Sequence, residues 1–413
     1  MPSALRWISD LVVVTLLVIT MSRMMTFNRI PGALFLIIAL SLVGITVAYY
    51  ESQQGAATAW GWWIMFRYPL LGLFAYLQPK WPKNTAEYFV RLCYGIMFLE
   101  IVMQLGQFAT GEIPGDDLSG SFGHHGVGEL VTLIVLIVSV AWGNWLVDGN
   151  WKIAMLITFI GLVSSVLGEI KFYPIAMVVI VFLALALHSW RTGQLSTLVV
   201  YSTIIGSFIL LFGISYNIFV AEVRGTRPIE DLLNLDSTEA KLNGLEFDAD
   251  AGIYRFGRGF AVTHGLETIL TDPVTALFGM GIGARSESKS LGIRGVSFDR
   301  DGYGLTSSPA SLVLIQELGL AGIAAVVGFF WWMTFRLLRF GRQRPSPALS
   351  TMALGLAIFT FLWPLWIFNH DAWHFSAVQQ LYWASIGFTF SQMNQLPNRL
   401  SPRFQWQPGG TAQ

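Results

Sequence analysis

Apolar residues fill this chain in long blocks from about residue 8 to residue 393, and one polar stretch, residues 221–308, interrupts them. Blocks such as LVTLIVLIVSV (130–140) and IAMVVIVFLALAL (175–187) belong to segments that approach 20 apolar residues. That is the length a helix needs to cross a bilayer. The pattern predicts about eleven spanning helices (10–12), centred near Val14, Ser41, Arg67, Phe98, Ile137, Phe159, Ile180, Gly206, Val326, Phe359 and Ile386. The expected fold class is an all-α integral membrane protein whose one large extramembrane loop contains short helices. Residues 1–220 would hold helices one to eight, 221–308 the loop, 309–393 helices nine to eleven, and 394–413 a tail. No internal repeat is evident. The first apolar segment, residues 7–20, lacks a small-residue cleavage site and reads as a retained helix.

Composition strengthens this picture. Of 413 residues 54% are hydrophobic and only 12% charged, against about 25% charged in soluble domains. Formal net charge is zero, so no nucleic-acid footprint exists and no nucleic-acid partner is expected. The single cysteine, Cys93, lies in an apolar segment, which leaves no disulfide framework and no cysteine metal site. Of the 50 charged residues, 22 fall within 221–308, nine basic and thirteen acidic.

Basic residues orient the chain, because cytoplasmic loops are enriched in Lys and Arg. Arg336, Arg339, Arg342 and Arg344 follow the ninth segment, and earlier loops on the same side carry Arg191, Lys152, Lys80 with Lys83, and Arg23 with Arg29. The tail with Arg399 and Arg403 joins them. The 221–308 loop and the N-terminus are then outside, and Arg6 alone faces the wrong way. The outer side also receives SGSFGHH (119–125), GEIK (168–171) and NHDAWH (369–374). Five of six histidines, His124, His125, His264, His370 and His374, collect there.

Several groups are candidates for chemistry, each with a plainer alternative. If residues 258–270 form a helix, Arg255 and Arg258 are expected to share a face. Guanidinium groups bind phosphate bidentately, although most loop arginines are simply solvated. Asp272-Pro273 would end that helix. Gly279, Gly281 and Gly283 imitate a dinucleotide fingerprint without its strand–helix context, and read as a tight turn that exposes backbone N–H groups. Glu169 and Lys171 sit between two apolar segments, either as a local ion pair or as groups facing a pyrophosphate. Arg67 and Glu100 are mid-segment charges, costing roughly 2.5–3.5 kcal/mol each if unpaired. They are expected to pair, with a headgroup-lining role for Arg67 as the sharper reading. His124, His125 and Glu129 lack a third ligand with suitable spacing, so no metal site is expected. Asn369, His370, Asp371 and His374 fit an interfacial cluster with Trp366 and Trp373 in the aromatic belt.

The order of these motifs resembles the O-antigen ligase and polysaccharide polymerase (Wzy-type) superfamily of bacterial inner membranes. LSGSFGHH (118–125) resembles its "SGTFGNPN" segment, and GEIK (168–171) the place of a basic residue between two helices. Arg258, fifteen residues before Pro273 and followed by LFGMG (277–281), resembles its arginine, proline and "LxGxGxG" pattern. LVLIQELGLAG (312–322) resembles its "ELGxxG" helix start. The resemblance spans roughly residues 118–322. The ligase branch carries His-Asn before that last helix, where this chain has Ser308-Pro309, so the polymerase branch is favoured.

The resemblance implies a metal-independent glycosyltransferase in the bacterial inner membrane, multi-pass, with a periplasmic functional loop. It would move a growing glycan from polyprenyl pyrophosphate to the sugar hydroxyl of a new lipid-linked repeat unit, for exopolysaccharide, capsule or O-antigen. Lipid-linked oligosaccharides and membrane lipid are then its ligands, polyprenyl pyrophosphate is a substrate carrier rather than a cofactor, and a flippase and a chain-length co-polymerase are partners. Arg258, with Lys171 in support, would stabilise the leaving pyrophosphate, while Arg255, Arg285, Gly281, Gly283 and Arg67 would bind substrate. Glu169, His264 and His125 stand as alternative general bases. Alternatives are an O-antigen ligase, a lipid-linked saccharide flippase, and a structural subunit of a synthesis complex.

Overall fold

The structure is a computed structural model that describes residues 10–16, 18–19, 22, 32–78, 80–115, 117–123, 126–170, 172–192, 206–207, 210, 213–214, 244–248, 253–288, 291–300, 306–307, 309–343, 346–369 and 376–395. It is mostly helical. The long helices are α1 (Gly32–Tyr50), α2 (Gly55–Tyr76), α3 (Thr85–Ala109), α4 (Val127–Asp148), α5 (Trp151–Leu167) and α6 (Phe172–Thr192). After the polar stretch come α10 (Ala310–Arg342), α11 (Pro347–Phe361), the short α12 (Trp363–Asn369) and α13 (Ser376–Gln395). Nine of the eleven expected segment centres fall inside these long helices. Val14 lies in helical residues 10–16, and most of the segment around Gly206 is outside the described residues.

Among the described residues, α3, α4, α10 and residues 172–190 of α6 are long and apolar enough to cross a membrane. Shorter apolar helices run over Leu34–Tyr50, Trp151–Leu167 and Pro347–Phe361. The outward faces remain apolar, with Phe335 68%, Phe98 67% and Leu42 64% exposed. Aromatic side chains project at helix ends, namely Tyr49, Tyr50, Trp151 and Trp190, as interfacial anchors do. The protein is membrane-embedded.

Local chemistry ends these helices where the chain must reverse. Gly149 takes the left-handed conformation (φ 73°) and its N–H bonds Trp145 O at 2.8 Å. Asn150 then caps α5 by accepting the Lys152 N–H at 3.2 Å. Ser346 caps α11 through the Leu349 N–H, with Pro347 in the first turn, where a missing N–H costs nothing. Short connections of this kind make sequence neighbours antiparallel.

The core sits around α4, almost every side chain of which from Leu130 to Trp142 is buried. Its main partner is α11, and the contact is glycine-mediated. A Cβ on Gly143 would lie 2.6 Å from Gly355 N, and one on Gly355 2.5 Å from Val140 Cα. Small residues let membrane helices approach closely, and dispersion does the rest. Helix α2 packs on α13 by the same device, Gly387 meeting Gly72 O. Phe330, Trp363 and Tyr382 fill the space between α10, α12 and α13, with Phe330 stacked on Trp363 at 4.6 Å. Some interior polar groups pair locally: Trp142 Nε1 donates to Thr158 Oγ1 at 3.1 Å, and Tyr173 OH to Thr158 O at 3.0 Å.

The polar stretch is not purely helical as expected. Strand β1 (Leu245–Asp248) pairs antiparallel with β2 (Ile253–Phe256), and β2 pairs parallel with β5 (Thr306–Ser307). Strands β3 (Glu287–Ser288) and β4 (Ile293–Arg294) form a small hairpin. Helices α7 (Arg258–Ile269), α8 (Pro273–Phe278) and α9 (Ser297–Arg300) lie among them.

Candidate functional site

The polar domain is fixed to the bundle through the first three turns of α10. Helix α7 lays Gly265 against Leu312 and Ile315, where an added Cβ would meet side-chain carbons at 3.0 Å. Gln316 Nε2 donates to Thr268 Oγ1 at 3.1 Å. Phe256, Ala261 and Leu312 form a small separate core with Leu245 and Phe260 against it.

Immediately after α8 the chain leaves the polar domain and enters the bundle. Residues 279–286 (GMGIGARS) are all buried. Gly279, Gly281 and Gly283 have φ of 73°, 88° and 92°, a region L side chains rarely adopt. Space excludes side chains there as well. A Cβ on Gly281 would strike Ala48 of α1, one on Gly283 would strike Ala57 of α2, and one on Gly279 would lie 2.7 Å from Gln316 O. Met280 N donates to Gln316 O at 2.7 Å, and Ile282 N to Gly44 O at 3.2 Å. The tight turn expected from the sequence is present, but Gly281 and Gly283 are packing positions within the protein, not a cradle of exposed N–H groups.

Two residues that the sequence reading did not single out receive this segment. Glu317, 1% exposed, accepts the Arg285 N–H at 3.0 Å and the Ser286 hydroxyl at 2.9 Å. Gly319 breaks α10 with φ 63° and ψ −169°, and a Cβ there would lie 2.6 Å from Leu277 O. The ELG motif therefore marks a break inside α10 rather than its start, which is at Ala310. The available signal was a lone acidic residue within the apolar run 310–334.

Among the predicted residues, the structure gathers Arg285 and His264 around Phe256. The Arg285 guanidinium lies 5.5 Å from the Phe256 ring and 4.5 Å from the Phe298 ring. His264 meets Phe256 edge-on at 5.7 Å and stacks on Phe260 at 5.5 Å. Arg285 is only 3% exposed, so its expected direct hold on a ligand gives way to a structural place between two aromatic rings. Arg258 is the first residue of α7 and its side chain is exposed. Surrounding protein still desolvates the guanidinium enough to pull its pKa down, though an arginine stays charged at any working pH. The helix expected over 258–270 is observed as Arg258–Ile269. Arg255 belongs to β2, opposite Glu246 in register, so the shared helical face with Arg258 does not exist. Asp272 does end α7's path, by capping α8. It accepts the Val274 and Thr275 N–H groups at 2.9 and 3.0 Å, and bonds from Thr275 and then Val274 hold its carboxyl below the usual range.

The expected Arg67–Glu100 pair is corrected. Arg67 Nη1 binds Asp10 Oδ1 at 2.8 Å, with Tyr68 under its guanidinium at 4.6 Å. That ion pair accounts for the charge without a headgroup. Glu100 instead anchors the SGSFG loop, accepting the Ser121 N–H at 2.9 Å and its hydroxyl at 2.5 Å. Gln104 and Gln107 continue this row along α3. Gln104 Nε2 donates to Leu118 O at 2.7 Å, while Gln107 accepts the Gly120 N–H at 3.0 Å and donates to Gly120 O at 3.2 Å.

Gln104 also reaches Ser164 of α5, and Gly115 N donates to Leu167 O at 2.9 Å, so the SGSFG loop adjoins the α5–α6 turn. In that turn Glu169 has φ 54°. Its N–H bonds Val166 O at 3.2 Å and the Ile170 N–H bonds Ser165 O at 2.7 Å, the hydrogen-bond pair of a Schellman cap. Glycine normally holds that position, so a glutamate there carries backbone strain of about 1–3 kcal/mol. Lys171, His124, His125, His370, Asp371 and His374 lie outside the described residues. Among the described residues no group of three or more His, Cys, Asp or Glu is placed to hold a metal.

Fold and site together define a helical membrane protein with a mixed polar domain docked on one end of its bundle. Neither a protein-family model nor any curated protein sequence matches the chain.

Proposed function

We propose that the protein is a metal-independent glycosyltransferase that polymerises lipid-linked oligosaccharide repeat units at the periplasmic face of a bacterial inner membrane. The observation that carries this reading is the construction around Arg258. An exposed arginine opens α7, beside an aromatic and histidine cluster, on a domain pinned to a membrane bundle. Helix N-termini attract anions, and an arginine there adds a fixed charge suited to a pyrophosphate. Adjacency of the SGSFG loop to the α5–α6 turn further supports one polar face.

In the reaction, the bond from the donor sugar C1 to the pyrophosphate oxygen breaks, and a bond from C1 to the acceptor hydroxyl oxygen forms. The hydroxyl proton passes to a general base, for which Glu169, His264 and His125 remain the alternatives. Negative charge develops on the leaving pyrophosphate. Arg258 would stabilise that charge, and fixed groups of this kind supply much of an enzyme's acceleration. Lys171 would assist. Arg285 would act indirectly, by bracing Phe256 beneath the start of α7.

The test is an elongation assay with purified protein, the organism's own polyprenyl-pyrophosphate repeat unit, and EDTA. Wild type should give a ladder of products, and Arg258→Ala should lose roughly 100-fold or more in rate. An unchanged ladder from the variant would remove Arg258 from the chemistry. No ladder from folded wild type would remove the polymerase reading.

A further inference from the structure

Helices α1, α2, α10 and α13 enclose a cavity of about 240 Å³. Pro69 in the α2 wall cannot donate an intrahelical hydrogen bond, and Gly32 adds no side chain where a Cβ would meet nothing within 4 Å. The walls are otherwise large and apolar, as at Phe66, Phe330 and Trp383. Arg336 is the one charged residue in the lining, and it is exposed, as is Asn394 beside it, whereas Phe330, Met333 and Trp383 are buried. One end of the cavity is therefore apolar and closed, and the other is polar and open.

Protein interiors hold few voids larger than a water molecule. This one has room for several waters, yet its walls supply almost none of the two to four polar partners that each water needs. Hydrocarbon satisfies such a wall. Arg336 then decides what kind of hydrocarbon. It stands one turn from Arg339 and two from Arg342, and basic pockets between membrane helices hold the phosphates of anionic lipids.

We infer that this cavity is a binding site for an anionic diacyl phospholipid, with one acyl chain between α1, α2, α10 and α13 and the phosphate at Arg336. The Arg336 end of the site lies far along α10 from Glu317, the apolar end reaches Leu314, and the proposal does not depend on the glycan reading. Its role is to fill the gap between the α2–α13 pair and α10.

Native mass spectrometry of delipidated protein tests the site, with phosphatidylglycerol, phosphatidylcholine of the same chains, and a polyprenyl phosphate as competing probes. Wild type should retain one phosphatidylglycerol with roughly fivefold preference over phosphatidylcholine, the effect expected of one arginine. Arg336→Gln should lose that preference, and Arg339→Gln, exposed but outside the lining, should keep it. Ile37→Trp, which fills the cavity, should abolish retention of either phospholipid. Equal loss in Arg336→Gln and Arg339→Gln would mean diffuse surface attraction and overturn the site. So would unchanged retention in a folded Ile37→Trp protein, or tighter retention of the polyprenyl phosphate.

Discussion

Glu100 in α3 and Glu317 in α10 are buried carboxylates in apolar helices, and each accepts one backbone N–H and one serine hydroxyl from a loop. Both pin irregular backbone to the bundle, since unsatisfied groups in a membrane interior are costly. Their surroundings differ. Glu100 is one of three acceptors and donors in a row on an unbroken helix, with Gln104 and Gln107 sharing the loop. Glu317 stands beside the break at Gly319, and its loop carries Arg285, whose guanidinium reaches the aromatic cluster of the polar domain. The lesson is that a charge inside a membrane helix need not touch a ligand. It can hold an irregular loop against the bundle instead.

The largest effect should follow Glu317→Leu. Stranding the Arg285 N–H and the Ser286 hydroxyl costs about 1–3 kcal/mol each. The thermal midpoint should fall, and limited proteolysis should open the chain within 253–300 while 118–123 stays protected. Next comes Gly281→Ala, which combines a positive φ with a collision at Ala48. Strain alone costs about 1–3 kcal/mol. Gly292→Ala is its control, with φ 63° but nothing within 4 Å of an added Cβ. It should lower the midpoint by less, and equal losses would show that backbone strain rather than insertion into the bundle governs this segment.

Glu100→Gln should be milder, about 1 kcal/mol, because Gln104 and Gln107 still hold the loop. A midpoint loss as large as that of Glu317→Leu would erase the contrast between the two anchors. The smallest effect belongs to Asp272. Its folded pKa is depressed, so its contribution is present above the unfolded value near 3.9 and is lost as pH falls through the folded value. Asp272→Asn should melt with wild type at pH below the folded value, separate from it as pH rises toward about 4, and keep a constant difference above that.

Much of the bundle was legible because membrane helices write themselves as apolar length. Even α7 was placed to within a residue by the breaker Asp272-Pro273 and the turn glycines. Partners were less legible. Arg67 was matched to Glu100 because both are mid-helix charges, but Asp10, 57 residues away in sequence, reaches it instead. Strands β3, β4 and β5 escaped notice because each is two residues long, too short for an alternating pattern. Gly281 and Gly283 looked like a ligand turn because positive-φ glycines serve close approach to backbone and ligand alike. Only the neighbours, Ala48 and Ala57, distinguish the two. Glu317 was read within a motif, and its role rests on Arg285 N and Ser286 Oγ, which no spacing rule connects to it.

Hydrogen exchange on wild type, Glu100→Leu and Glu317→Leu tests the two-anchor account most directly. Each substitution should raise exchange only in its own segment, 118–123 for Glu100 and 279–288 for Glu317, because local opening follows the contacts that hold a segment. Unchanged protection in both variants, or loosening of both segments by either one, would contradict it.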